Sequence, residues 1–160
     1  MKDRELEQLH ALQARFGYMF ETPALGLDFY RGWLPAFIEA CEKIDVVLGE
    51  DKRGFRFVRA KEKHGWARYY FATDGARPMR LSIHDGNGLH ELTTGLKDEH
   101  VIEKAIAAIL AEAEKNSMDK CIVCGAPAEI RRFGGWLVCA CEAHDPDKPG
   151  DPLSGALLRP

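Results

Sequence analysis

The stretch CIVCGAPAEIRRFGGWLVCACEAH, residues 121–144, is the most informative part of this chain. It contains a C-x2-C pair, a gap of sixteen residues and a C-x2-H pair, which define the candidate metal ligands Cys121, Cys124, Cys141 and His144. Two turns that each supply two thiolate or imidazole groups can close a tetrahedron around a zinc ion. Gly125 follows the first pair, where a tight metal-binding turn favours a residue that tolerates positive φ. The spacing therefore predicts a zinc ribbon with Zn²⁺ as a structural cofactor.

Cys139 leaves an alternative open in this ligand set. Alternation along the predicted strand 136–141 points the side chains of Cys139 and Cys141 to the same face. Cys141, but not Cys139, forms a C-x2-H turn with His144, which favours Cys141 as the ligand. If His144 stays outside the site, Cys139 instead completes an all-cysteine set.

Four protein ligands predict a structural rather than a catalytic ion, because a catalytic zinc site keeps an open coordination position. Glu142 lies between two ligands but belongs to no H-E-x-x-H or H-x-E motif. The chain also contains no P-loop, G-x-S-x-G or dinucleotide-binding fingerprint. We therefore predict no catalytic residue, and a zinc-dependent hydrolase is the third of three functional hypotheses.

The bulk composition is that of a globular intracellular protein. The chain has 160 residues, 46% of them hydrophobic, and a net charge of -3, which gives no general attraction to anionic partners. Its start, MKDRELEQLH, lacks the apolar segment of a secretory signal, and no apolar run is long enough to cross a membrane. Four of the five cysteines fall within residues 121–141, which indicates metal ligation in a reducing compartment. We expect a cytoplasmic protein without a membrane partner.

Hydrophobic periodicity predicts an α+β fold. Helices are predicted from Asp3 to Gly17, from about Leu34 to Leu48, and from Asp98 to about Asn116. Strands are predicted at 55–63, 66–73, 79–84 and, as a short fourth strand, 89–93. We expect the helices to pack against one antiparallel sheet of three or four strands, with the zinc ribbon at the end of the last helix.

The chain divides into three predicted segments. The α+β domain covers residues 1–117 and the zinc ribbon covers residues 118–145. The final segment, 146–160, is predicted to be disordered or loosely packed. The sixteen residues after His144 contain four prolines and two glycines, a composition that favours such a tail.

One segment is basic in an otherwise acidic chain. Residues 52–80 carry nine Lys or Arg residues against two acids, whereas residues 1–51 carry five against ten. The basic segment is predicted to form a hairpin that turns at His64 and Gly65, with Phe55 and Phe57 on the same face as the cations. Cations and aromatic residues on a strand pair are typical of platforms for single-stranded nucleic acids. The candidate contacts are Arg56, Arg59, Lys61, Lys63, Trp66, Arg68 and Tyr70.

The same hairpin also allows a purely structural interpretation, without nucleic-acid binding. Its aromatic side chains can form the core of the sheet while the cationic side chains extend past them to solvent. Acidic segments elsewhere in the chain can also neutralise it internally.

Three sequence strings carry a resemblance. KEKHGWARYYF at 61–71, AEAEKNS at 111–117 and the 121–144 stretch together resemble a group of uncharacterised bacterial and prophage-encoded zinc-ribbon proteins, over about residues 32–144. That group combines a Gly-Trp helix start, a K-E-K-aromatic-G-x-x-R-aromatic-Tyr strand pair and a C-terminal C-x2-C-G…G-W…C-x2-H ribbon. The matching residues are Gly32, Trp33, Lys61, Glu62, Lys63, Gly65, Arg68, Tyr70, Cys121, Cys124, Gly125, Gly135, Trp136, Cys141 and His144. The chain departs at His64, where the group has an aromatic residue, and at Cys139, an additional thiol. The resemblance implies an association with phage and mobile elements, and it implies no activity.

Two functional hypotheses rank ahead of the zinc-dependent hydrolase. The first is a non-enzymatic, zinc-stabilised interaction protein, phage-derived and binding a host protein. The second is a nucleic-acid-binding module that uses the basic aromatic hairpin at 52–80.

Overall fold

The structure, a computed structural model, describes residues 2–21 and 26–158. Within these ranges it has the predicted mixed α+β architecture, with three α-helices and eight short strands. The helices are α1 (Lys2–Arg15), α2 (Leu34–Leu48) and α3 (Val101–Ser117). The strands are β1 (Phe29–Tyr30), β2 (Arg56–Lys63), β3 (Trp66–Ala72), β4 (Met79–Asp85), β5 (Gly88–Thr94), β6 (Glu129–Phe133), β7 (Trp136–Ala140) and β8 (Leu157–Leu158). No helix of the described part is long and apolar enough to span a membrane.

The strands pair as four separate antiparallel ribbons, so the prediction of one sheet of three or four strands is wrong. The pairs are β1 with β8, β2 with β3, β4 with β5 and β6 with β7. The reason lies at the outer edge of β3, where helix α3 takes the place of a further strand. The backbone N–H of Ala67 donates to Ser117 Oγ at 2.8 Å, and that of Tyr69 donates to Glu114 Oε1 at 2.8 Å. Side chains of α3 thus satisfy the donors that a neighbouring strand would otherwise pair.

The core joins the helices to the β2–β3 ribbon. The ring of Phe37 on α2 lies 4.8 Å from that of Tyr69 and 5.2 Å from that of Phe57, between ring centres. Ile106 and Leu110 of α3 are buried in the same cluster. That cluster also includes residues of the metal-binding segment, namely Cys121, Ile122, Val123, Val138 and Ala140.

The end of the described chain returns to this core, which differs from the disordered or loosely packed tail that the composition predicts. Strand β8 pairs with β1, so that Leu158 lies opposite Phe29. Leu158 is buried, and the carbonyl of Ala156 accepts a hydrogen bond from the backbone N–H of Arg31 at 2.8 Å. The apolar run 156–158 outweighs the Pro- and Gly-rich residues before it, and residues 159–160 lie outside the described part.

Candidate metal centre

Two backbone turns present the four predicted ligands. After α3 the chain enters a turn between Cys121 and Cys124, closed by a hydrogen bond from the N–H of Gly125 to the carbonyl of Cys121 at 2.8 Å. Gly125 has a φ of 75°, as the sequence predicts for this position. The second pair follows β7, where the N–H of His144 donates to the carbonyl of Cys141 at 3.0 Å.

The four ligand atoms form one cluster, with all separations within 4.8 Å. Cys124 Sγ lies 3.7 Å from Cys141 Sγ, and His144 Nδ1 lies 3.6 Å from Cys121 Sγ and 3.3 Å from Cys141 Sγ. Tetrahedral coordination with metal–sulfur bonds of about 2.3 Å requires sulfur–sulfur separations of about 3.8 Å. The geometry and the donor set therefore fit a metal ion such as zinc.

Cys139 lies apart from this cluster. Its side chain is buried, and its thiol donates to the carbonyl of Met118 at 3.5 Å. Burial also raises the pKa of the Cys139 thiol to about 11. The structure thus brings together Cys141 and His144, and not Cys139, with the first pair.

The thiols of the cluster differ in acidity. Burial raises the pKa of Cys124 to about 11. Burial acts in the same direction on Cys141, but its hydrogen bonds, first among them that with His144, outweigh it and lower the pKa to about 6. A bound cation would favour the thiolate form of the cysteines in the cluster.

The segment before α2 holds the first metal-binding turn in place. Arg31 Nε donates to the carbonyl of Val123 at 2.6 Å, and the N–H of Gly32 donates to that of Ile122 at 3.0 Å. The indole N–H of Trp33 donates to the carbonyl of Lys120 at 2.9 Å. The Gly-Trp pair is part of the resemblance noted above. The role of Arg31 was not predicted from the sequence, because its hydrogen-bond partner lies 92 positions away.

Six of the seven candidate nucleic-acid contacts share one face of the β2–β3 ribbon. Arg59 lies opposite Tyr70, Lys61 opposite Arg68, and Lys63 opposite Trp66. A register shift between Phe57 and Arg59 interrupts strict alternation in β2. Phe55 and Phe57 are therefore buried in the core instead of lying beside the cations as predicted. Arg56, the seventh candidate, donates to the carbonyl of Gly54 at 2.9 Å.

Arg68 belongs to a buried ionic network rather than to the exposed surface. Its side chain is 1% exposed, and its guanidinium carbon lies 3.3 Å from the centre of the Trp66 ring. Arg68 Nη2 donates to Glu91 at 2.8 Å, while Arg80 contacts both Glu91 and Glu114. This network links β3, the β4–β5 ribbon and α3. In this arrangement Arg68 has no access to an external phosphate.

Fold and site together define an α+β protein with a C-terminal Cys3His cluster whose geometry fits a metal ion. Comparison with known protein families, with curated proteins and with solved structures finds no match to this chain.

Proposed function

We propose that this chain is a non-enzymatic, zinc-stabilised interaction protein that binds another protein through the outer face of the β4–β5 ribbon. One observation carries the proposal: four large apolar side chains lie exposed together on that face. We call them the apolar hairpin face: Met79, Leu81, Ile83 and Leu92. Met79 is 60% exposed and the other three are each 48% exposed. Leu81 and Leu92 are directly opposite each other across the ribbon.

The β4–β5 ribbon has its polar and apolar sides reversed relative to an ordinary surface hairpin, whose apolar side faces the core. Its inward side carries polar and charged contacts: Arg80 pairs with Glu114, Glu91 pairs with Arg68, and Ser82 accepts from Lys63 Nζ at 3.1 Å. Its apolar side faces outward. Clustered exposed apolar side chains are typical of interaction sites, because their burial on a partner contributes on the order of 1 kcal/mol each.

The chemistry of the face favours an uncharged apolar surface of a partner protein. Asp85 and His90, at the turn end of the ribbon, are paired with each other at 3.2 Å between Oδ1 and Nε2. The rest of the face carries no acid or cation that would require an opposite charge. The resemblance to prophage-encoded proteins further suggests a host protein as that partner.

The zinc ion has a structural role in this proposal. Three thiolates and an imidazole supply four ligands, which fill a tetrahedral shell and leave no position for a reacting water. Glu142, the acid between two ligands, is exposed to solvent. The arrangement supports a stabilising ion more than a hydrolase.

The test is recovery of a binding partner by the zinc-loaded protein and by matched variants. Leu81→Glu places a charge in the centre of the face, and Val46→Glu makes the same kind of change at a valine of α2 that is 80% exposed. We expect the wild type and Val46→Glu to recover the same stoichiometric bacterial protein, and Leu81→Glu to lose it. Equal recovery by Leu81→Glu, or no stoichiometric partner at all, would overturn the proposal.

Two further measurements separate other occupants of the face. Sedimentation of the purified protein detects a second copy, and flotation with lipid vesicles detects a membrane surface. Either result, if abolished by Leu81→Glu and not by Val46→Glu, would replace the partner protein as the ligand. Unchanged near-UV circular dichroism checks that each variant is folded.

A further inference from the structure

A row of three cations on β2 lies outside the function proposed above. Arg59, Lys61 and Lys63 occupy alternate positions of one strand, so their side chains leave the same face at intervals of about 7 Å. None of the three forms an ion pair among the described residues. Lys63 Nζ instead donates to the neutral hydroxyl of Ser82. We propose that this row binds the phosphate backbone of an extended single-stranded nucleic acid.

The cations of this row lie close to one another and to a further cation, Arg68. Lys61 lies directly opposite Arg68, and like charges at such a position destabilise an antiparallel pair. Burial, together with Arg59, Lys63 and Arg68, lowers the pKa of Lys61. An anion bound along the row would relieve this repulsion.

The nearby acids are already engaged elsewhere. Glu62 is the neighbour of Lys61 along the strand, but its Oε1 accepts the backbone N–H of Gly65 at 2.6 Å. Glu91 is paired with Arg68 and Glu114 with Arg80. The three cations of the row therefore remain available to an external anion.

The aromatic residues of the same face define what kind of contact is possible. The Trp66 ring is covered by the guanidinium of Arg68, and the Tyr70 ring has Lys61 Nζ and the Arg80 guanidinium each 5.6 Å from its centre. Because cations already engage both rings, the three cations of the row are the main groups left for contact with a ligand. We therefore expect binding through phosphates, without base-sequence preference. A linear row on one strand matches an extended single strand rather than a duplex.

The experiment measures fluorescence anisotropy of a labelled thymidine oligonucleotide of about 20 nucleotides. Three phosphate contacts on a single strand predict a log–log salt slope of about −2, so affinity should fall about 15-fold between about 50 and 200 mM salt. Lys61→Glu should weaken binding at least 10-fold and reduce the slope. Lys61→Arg should bind as the wild type does, because it keeps the charge.

Lys43→Glu is the matched control for the loss of positive charge. Lys43 is an exposed residue of α2, which packs on the opposite face of the ribbon through Phe37 and Tyr69. Reversing the charge at Lys43 should leave the affinity for the oligonucleotide and its salt slope unchanged. No binding at 50 mM salt, or equal effects of Lys43→Glu and Lys61→Glu, would overturn the proposal.

Competition with two other phosphate-containing ligands tests whether the row prefers single-stranded nucleic acid. A duplex of the same length that competes better than the single strand would overturn the single-stranded assignment. Inorganic polyphosphate that competes better at equal phosphate concentration would overturn nucleic acid as the ligand. Because Arg59, Lys61 and Lys63 are not part of the apolar hairpin face, this test succeeds or fails independently of the protein-binding proposal.

Discussion

A Cβ atom built on Gly32 would lie 1.8 Å from the carbonyl oxygen of Cys121, so the segment before α2 and the metal-binding turn are in direct backbone contact. The contact is reciprocal, since a Cβ on Gly125 would lie 2.9 Å from the carbonyl oxygen of Gly32. Such close approach is possible only where both residues lack a side chain. The turn that carries Cys121 and Cys124 is therefore held against the segment before α2 by shape as well as by hydrogen bonds.

Gly32→Ala should destabilise the protein by about 1–3 kcal/mol or more, because the overlapping groups are backbone atoms that move only with the whole turn. The affinity for the metal should fall together with the stability of the protein. Gly17→Ala is the control, since a Cβ there meets no atom within 4 Å. Urea unfolding and metal competition measure both quantities. Equal stability of the two variants would show that the turn does not depend on this contact.

Features set by local sequence were predictable. The helices, the four strand segments at 55–94 and the metal-ligand spacing all follow from hydrophobic periodicity, turn residues and motif distances within short stretches. The preference for Cys141 over Cys139 also needed nothing beyond a C-x2-H turn. In each case the deciding residues are close together along the chain.

Features set by contacts between distant parts of the chain were not predictable from the sequence. Nothing local in α3 indicates that Glu114 and Ser117 accept hydrogen bonds from the edge of β3, 45 and 50 residues earlier. The register shift after Phe57 places that residue in the aromatic core, on the face opposite to the cations. The pairing of Leu158 with Phe29 spans most of the chain, so composition alone does not predict it.

Alanine substitutions at the two cysteines near the end of β7 should separate ligand from bystander. Cys141→Ala removes one of three thiolates, so the thiolate-to-metal absorbance of the cobalt-substituted protein should fall by about a third, with weaker binding. Cys139→Ala should leave that spectrum unchanged, because its thiol contacts Met118 and not the cluster. A spectrum altered by Cys139→Ala and not by Cys141→Ala would reverse the assignment.

Removal of the metal by a strong chelator should unfold residues 118–145 locally. Apparent binding free energies of structural zinc are on the order of 10 kcal/mol, and they stabilise the turn that the ligands close. Hydrogen exchange is the direct measurement. The N–H of Ile122, which donates to the carbonyl of Cys139 at 2.8 Å, should lose protection, while the β2–β3 ribbon keeps its own. Retained protection at Ile122 in metal-free protein would contradict a folding role for the ion.

Glu114 should be the most costly residue of α3 to truncate. Its carboxylate is buried, accepts the backbone N–H of Tyr69 and pairs with Arg80. Glu114→Ala therefore leaves the Tyr69 donor unpaired and removes the closer of the two carboxylates that contact Arg80. Breaking a buried ion pair in this way costs about 3–5 kcal/mol. Glu114→Gln should cost less, because its amide oxygen still accepts from Tyr69.

Urea unfolding at constant metal concentration tests this ranking, with Glu112→Ala as the control. Glu112 is an exposed acid of the same helix, two positions away, and its truncation should change the free energy of unfolding by less than about 0.5 kcal/mol. If Glu114→Ala were as mild as Glu112→Ala, the edge of β3 would not depend on α3.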